Sequence, residues 1–152
     1  YKYCNGSSTS LTKYCTNSSY GTVDNKTILE AADDAARANW GGSWRMPTDA
    51  ELAELHGQCT TWTWTTQNGV YGYKVTSKKS GYTSKSIFLP AAGCRSVISL
   101  GDAGSYGYYW SSSLDMYLPG YAWFVSIKSS NVEGCNGDDD RTYGFSVRPV
   151  CQ

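Results

Sequence analysis

Residues 59–76 constrain this chain more than any other stretch. Trp62 and Trp64 alternate with Thr61, Thr63 and Thr65, then Gln67-Asn68-Gly69 intervenes, and residues 70–76 continue with Val70, Tyr71, Tyr73 and Val75. An alternation of period two places both tryptophans on one face of a strand and the threonines on the other. Asn-Gly supplies the left-handed backbone that a two-residue hairpin turn requires. The segment therefore predicts an antiparallel hairpin, and the rest of the fold must be built around a sheet.

More strands follow it. Residues 86–89 form a short apolar strand ended by Pro90, and residues 108–111 begin another. Residues 122–128 alternate, with Trp123, Val125 and Ile127 expected inward and Phe124, Ser126 and Lys128 outward. Residues 141–150 read as the last strand. The glycine-rich stretch 91–107 has no clear period, and a loop of that length in a compact domain is functional or tightly packed.

The helices come earlier. Residues 30–40 carry the alanines of a short helix, with Asp33 and Asp34 in its first turn and Gly41-Gly42 as its stop. Residues 48–57 predict a second helix, with a Thr48/Glu51 capping box, Leu52 and Leu55 on its buried edge and Gly57 at its end. Residues 1–26 are polar and read as loop. The order of loop, two helices and a run of strands predicts one α+β domain over residues 1–152, with a twisted antiparallel sheet and long ordered loops.

Charge narrows the partners. The chain carries 13 basic and 13 acidic residues, so nothing in its balance suggests nucleic acid. It is rich in Tyr, Trp, Gly, Ser and Thr, the residue types of recognition surfaces. No apolar run is long enough for a transmembrane helix. The first residue is Tyr1 rather than Met, which reads as a mature product or an excised fragment.

The six cysteines stand at 4, 15, 59, 94, 135 and 151, without a CxxC pair, and His56 is the one histidine. Spacing and composition therefore argue against a zinc site. An even number of scattered cysteines favours disulfides and an oxidising compartment; the alternative is buried thiols in a cytosolic protein.

Five stretches together carry a family resemblance: Trp40-Gly-Gly-Ser-Trp-Arg-Met-Pro-Thr48, Cys59-Thr-Thr-Trp-Thr-Trp64, Ile87-Phe-Leu-Pro-Ala-Ala-Gly93, Gly107-Tyr-Tyr-Trp-Ser-Ser112 and Ser146-Val-Arg-Pro-Val150. In this order the chain resembles the Fibrobacter succinogenes major paralogous domain of gut Bacteroidetes. That family is similar to C-type lectin-like domains and to their formylglycine-generating-enzyme-like branch. The resemblance implies an extracellular binding module on a surface lipoprotein, adhesin or pilus tip. It also resembles the variable proteins of diversity-generating retroelements, whose C-terminal part is hypermutated, and a virion location is compatible with this.

The chain departs from the family in two ways. The upstream strand segment that usually precedes the equivalent of Tyr1-Lys-Tyr-Cys4 is not in the sequence, so residues 141–150 are expected to have an open edge. Cys94 and Cys135 are not part of the family pattern. Of the fifteen connectivities open to six cysteines, the reading taken is Cys4–Cys15, Cys59–Cys151 and Cys94–Cys135. The last bridge would tie the glycine-rich loop to the acidic one and pre-organise a binding face.

The segment between the fourth and fifth motifs holds the candidate ligand-binding residues. Ser113, Leu114, Asp115, Met116, Tyr117 and Tyr121 lie in or beside a loop with more apolar surface than a loop needs. Phe124, Ser126 and Lys128 take the outward parity of their strand. Asn136, Asp138, Asp139 and Asp140 make a polar, acidic loop, and Tyr143 and Phe145 follow. Such a mixture suits an aromatic patch with a polar rim. For Tyr143 and Phe145 the competing reading is core, since their parity matches that of Val147. Asn136 and the three aspartates offer hard oxygen ligands, but consecutive carboxylates cannot all face one calcium ion, so no metal or other cofactor is expected.

A catalytic role is not expected either. No Gly-x-Ser-x-Gly elbow, phosphate loop or His/Asp/Ser set occurs, and His56 sits beside a helix end. The expected function is recognition of a protein or glycan on another cell or surface. The alternatives are a pilus or anchoring subunit whose insert packs on a partner and a formylglycine-generating type of oxidase using Cys94 and Cys135.

Overall fold

Asn68 and Gly69 turn the chain as their residue types require, with φ of 51° and 80°. Around that turn, in the computed structural model, β2 (Thr60–Gln67) pairs antiparallel with β3 (Val70–Ser77) along its whole length, from Thr60 opposite Ser77 to Gln67 opposite Val70. The structure describes residues 2–151, and the side chains of residues 134–136 lie outside that description.

The remaining elements are α1 (Ala35–Trp40), β1 (Trp44–Arg45), α2 (Asp49–His56), β4 (Ser86–Pro90), β5 (Cys94–Ser96), β6 (Ser99–Gly101), β7 (Tyr106–Leu114), β8 (Tyr121–Lys128), β9 (Asn131–Asp140) and β10 (Val150–Cys151). The class is α+β with antiparallel strand pairing. Instead of one sheet, the described strands form two three-stranded sheets, β2-β3-β4 and β7-β8-β9, and two small pairs, β1-β10 and β5-β6.

Two apolar clusters hold these parts together, and β7 and β8 contribute to both. Leu52, Tyr73, Val75, Leu89, Tyr109, Val125 and Ile127 form the first, with Trp62 and Trp64 packed against it. Tyr14, Ala36, Met46, Trp110, Leu114 and Ala122 form the second, with Phe124, Tyr143, Phe145 and Val147 against it. Successive residues of a strand point to opposite faces, so Tyr109 and Trp110 enter different clusters, as do Ala122 and Val125. Each fully buried Val125, Ile127 or Leu89 contributes about 1.5–3 kcal/mol. Close approach is needed where β3 meets β4: a Cβ on Gly72 would lie 2.2 Å from the Leu89 carbonyl oxygen.

Both helices begin on side-chain caps. Thr48 and Glu51 form the expected capping box on α2. The first helix is shorter than residues 30–40, because the Asp34 carboxylate accepts the Ala36 and Arg37 N–H groups. An N-cap takes an extended backbone, here φ −65° and ψ 115°, so the helix cannot continue upstream of it.

Three further expectations are corrected. Residues 91–107 are not one loop but contain the β5–β6 hairpin. The acidic stretch is not a loop, since Asp138, Asp139 and Asp140 lie in β9 opposite Trp123, Ala122 and Tyr121 of β8. Residues 141–150 do not form one strand. They make single bridges from Gly144 to Arg95 and from Ser146 to Tyr109, and only β10 is regular, against β1. Pro149 has no N–H for a ladder, which keeps the regular part short.

Of the expected pairings, Cys4–Cys15 and Cys59–Cys151 are not seen, as no disulfide is formed among the described residues. Cys4 and Cys15 share a buried cluster with Leu11, yet the Cys4 thiol donates to the Arg141 carbonyl at 3.4 Å and the Cys15 thiol to the Asn17 carbonyl at 3.1 Å. Cys59 is exposed ahead of β2, whereas Cys151 lies in β10 with its sulfur 3.1 Å from Ser43 Oγ. The proposed partner of Cys94, Cys135, falls outside the described side chains.

Candidate functional site

The path to the site starts at Asp34. Its carboxylate caps α1 and also accepts the Met46 N–H, at 3.1 and 2.9 Å to its two oxygens. That bond fixes α1 beside β1 and sets Met46 in the second cluster. Across from it, the segment after β9 is tied to β7: Ser146 N–H donates to the Tyr108 carbonyl and its own carbonyl accepts from Trp110 N–H. Gly144 exchanges two backbone hydrogen bonds with Arg95.

These attachments make Phe145 the centre of an aromatic stack. Its ring lies 4.3 Å from Trp110, 4.9 Å from Tyr108 and 5.7 Å from Tyr143, all near parallel, and Phe124 leans on it at 5.1 Å. Trp110, Phe145, Val147 and Met46 line a cleft of about 350 Å³, with Leu29, Ala32 and Ala35 on its helical side. Lys2, Tyr3, Asp33 and Asn39 add the polar groups. A concave, mostly apolar site with a few polar groups is the usual form of a ligand pocket.

The carboxylate among them is already committed. Asp33 is contacted by Lys13 and accepts from the hydroxyls of Tyr14, at 2.6 Å, and Tyr3. Lys13 beside it holds the Asp33 carboxyl far below the usual carboxylate range, with the two tyrosines assisting, and Asp33 in turn raises Lys13. A carboxylate so stabilised as the anion is a poor proton acceptor at neutral pH.

The predicted site residues are distributed over several places. Tyr143 and Phe145 reach the cleft. Met116 and Tyr117 are open to solvent, 71% and 88% exposed, in a turn closed by the Asp115 carboxylate, which accepts the N–H groups of Tyr117 and Leu118 at 2.6 Å. The others serve structure. Leu114 is buried in the second cluster, and Ser113 Oγ donates to Asp49 at 2.7 Å at the start of α2. Phe124 does not face outward, because the second cluster covers that side of β8. Ser126 is buried against Glu133, which also pairs with Lys128 at 2.8 Å. Tyr121 and the aspartates 138–140 are half-buried across the β8–β9 ladder, and Asn136 lies outside the described side chains.

Sequence reasoning missed the other wall of the cleft: Tyr3, Leu29, Ala35 and Met46. Their approach to residues 110 and 145 is wholly long-range, and only the alanine-rich helix gave a local signal.

Burial pushes the Cys94 thiol up, and Asp102 and Asp139 push it further. A nucleophilic or metal-binding cysteine needs the opposite shift. The His56 ring packs edge-on to Trp62 at 5.7 Å. Among the described residues no group of three His, Cys, Asp or Glu is placed to hold a metal ion, and no helix is long and apolar enough to cross a membrane. Comparison of the chain with protein-family models, with curated proteins and with solved structures finds no match in any of the three.

Proposed function

We propose that this chain is a recognition module of C-type lectin-like type, related to the Fibrobacter succinogenes major paralogous domain. It acts outside the cell, on a surface lipoprotein, a pilus or a virion, and binds a protein or glycan without catalysis. The observation that carries this reading is the cleft floored by Trp110, Phe145 and Met46. Its rings are fixed before any ligand arrives, and its one carboxylate is held by Lys13 and two tyrosines. A rigid aromatic floor favours binding because little conformational freedom remains to be lost.

The test is a screen of the intact chain against glycans and cell surfaces, run in calcium and in chelator. Tyr143→Ala, with Tyr143 at the edge of the stack, is expected to abolish capture, which should survive chelator. Capture that is unchanged in Tyr143→Ala would remove the cleft from the reading. Capture lost only in chelator would move the site to a metal.

A second reading is supported by the exposed Met116 and Tyr117. In that case the loop packs on a neighbouring subunit and the chain is structural. Sedimentation would then show self-association or assembly with a purified pilus or anchoring subunit that Tyr117→Ser disrupts, and no free glycan would be captured.

A further inference from the structure

A second groove, of about 330 Å³, lies where the β2–β3 hairpin meets the open ends of β7 and β8. Its aromatic wall is Trp64, Tyr71 and Tyr106, and the β8–β9 turn adds Ser129 and Ser130 opposite the loop residue Ser105. The Trp64 and Tyr71 rings are near parallel, 8° apart, and Tyr71 is 53% exposed. Trp64 is held edge-on against the buried Tyr73 at 5.1 Å, and the Tyr73 hydroxyl donates to the Lys128 carbonyl at 3.1 Å. The wall and the turn are therefore fixed to each other.

The polar groups differ from those of the first cleft. The Trp62 indole N–H bonds to the Leu55 carbonyl and the Trp110 indole N–H to that of Tyr143. The Trp64 indole N–H has no partner among the described residues, nor have the hydroxyls of Tyr71, Tyr106, Ser105, Ser129 and Ser130. The one charge is already used: Lys128 Nζ lies 2.8 Å from Glu133 and 5.9 Å from the Tyr106 ring centre. The groove thus offers flat apolar faces, a ring of unengaged donors and acceptors, and no spare charge.

We propose that this groove binds a neutral saccharide. A pyranose ring has an apolar C–H face that fits an aromatic ring and a rim of hydroxyls that both donate and accept. A purely apolar ligand would leave the surrounding hydroxyls unmatched, and an anion would find Lys128 already paired with Glu133. The site is independent of the Trp110–Phe145 cleft and does not rest on the function proposed for it.

The experiment is a titration of the intact chain, followed by two-dimensional NMR, with methyl glycosides and disaccharides of glucose, galactose, mannose and N-acetylglucosamine. Galacturonate and a proline-rich peptide serve as comparison ligands. At least one neutral sugar is expected to shift the Trp64 indole and Tyr106 signals, with millimolar affinity. Tyr71→Ala should weaken the binding read at the Trp64 and Tyr106 signals about tenfold, and Ser130→Ala by a smaller factor. Tyr71 is exposed enough for its variant to remain folded, which retention of the dispersed spectrum would verify. The proposal is overturned if no neutral sugar moves these signals. It is equally overturned if only galacturonate or the peptide binds there, or if sugar binding is lost in Tyr143→Ala and kept in Tyr71→Ala. That last result would place the sugar in the other cleft and leave the recognition reading standing.

Discussion

Arg141 Nη1 donates to the carbonyl oxygen of Pro119 at 2.7 Å and to that of Tyr14 at 3.0 Å, while Nη2 reaches the Lys13 carbonyl at 3.3 Å. The side chain is fully buried. One guanidinium thus joins the end of β9, the loop before β8 and the polar N-terminal segment. Replacing it with Ala leaves those carbonyls without their donor and a void in their midst, which should cost about 3 kcal/mol. Arg141→Lys should rescue little, because an ammonium is a compact donor without the planar fork. Urea unfolding would give the loss as a lower midpoint, and amide exchange should quicken first in residues 115–120. Unchanged exchange there would show that the loop holds itself.

Asp34 joins α1 to β1, and its effect can be separated from ordinary capping. Loss of a single cap costs about 1 kcal/mol. Asp34→Ala also strands the buried Met46 N–H, so about 2 kcal/mol or more is expected. Thr48→Ala on α2 should stay near the single-cap value. Asn at position 34 keeps one oxygen acceptor and should fall between wild type and Ala. Equal midpoints for Asp34→Ala and Thr48→Ala would show that the bond to Met46 adds nothing.

These cases mark what the sequence could disclose. The Asn68-Gly69 hairpin and the Thr48/Glu51 box are local, encoded within a few residues, and both form as expected. The outward parity of Phe124 was a sound inference for a strand with one wet face. It fails because β8 is covered on both sides, which depends on where α1 and residues 143–147 pack. Residues 131–140, with glycines and three aspartates, have poor strand propensity and are held as β9 by their ladder to β8. Of the cleft, only Tyr143 and Phe145 are among the candidate residues. The facing wall comes from residues far earlier in the chain, Met46 and those before it.

Asp139 carries a cost that follows from that ladder. Burial against β8 raises its carboxyl, and the neighbouring Asp140 and Asp138 add to the rise. A carboxyl that binds its proton more tightly when folded favours the fold below its unfolded pKa of about 4 and opposes it once both states are ionised. Asp139→Asn should therefore raise the urea midpoint at neutral pH. The amide oxygen can still accept the Asp140 N–H that the carboxylate holds at 2.7 Å. At acid pH, where Asp139 is protonated in both states, the two proteins should converge. A lower midpoint for the variant at neutral pH would mean that the charge has a favourable partner in the fold.

Asp33 has the opposite sign. Lys13, Tyr14 and Tyr3 lower its folded pKa, and Arg45 with the Thr48 N–H lowers that of Glu51 to about 2. Both carboxyls bind protons more weakly in the folded state. The stability they contribute is fully present above the unfolded carboxylate pKa of about 4 and is lost as pH falls through the folded values. The unfolding midpoint should therefore hold steady from neutrality to about pH 5 and then drop toward pH 2. Asp33→Asn should lower the midpoint at neutral pH and flatten the acid slope, since an amide does not titrate. Arg45→Met should flatten it through Glu51 while leaving the contribution of Asp33 in place. The combined variant should have the shallowest slope, because the Lys13 and Arg45 networks share no residue. An undiminished acid slope in that combined variant would assign acid sensitivity to other carboxylates, with Asp24, which accepts the Tyr14 and Cys15 N–H groups at 3.0 Å each, next to be tested.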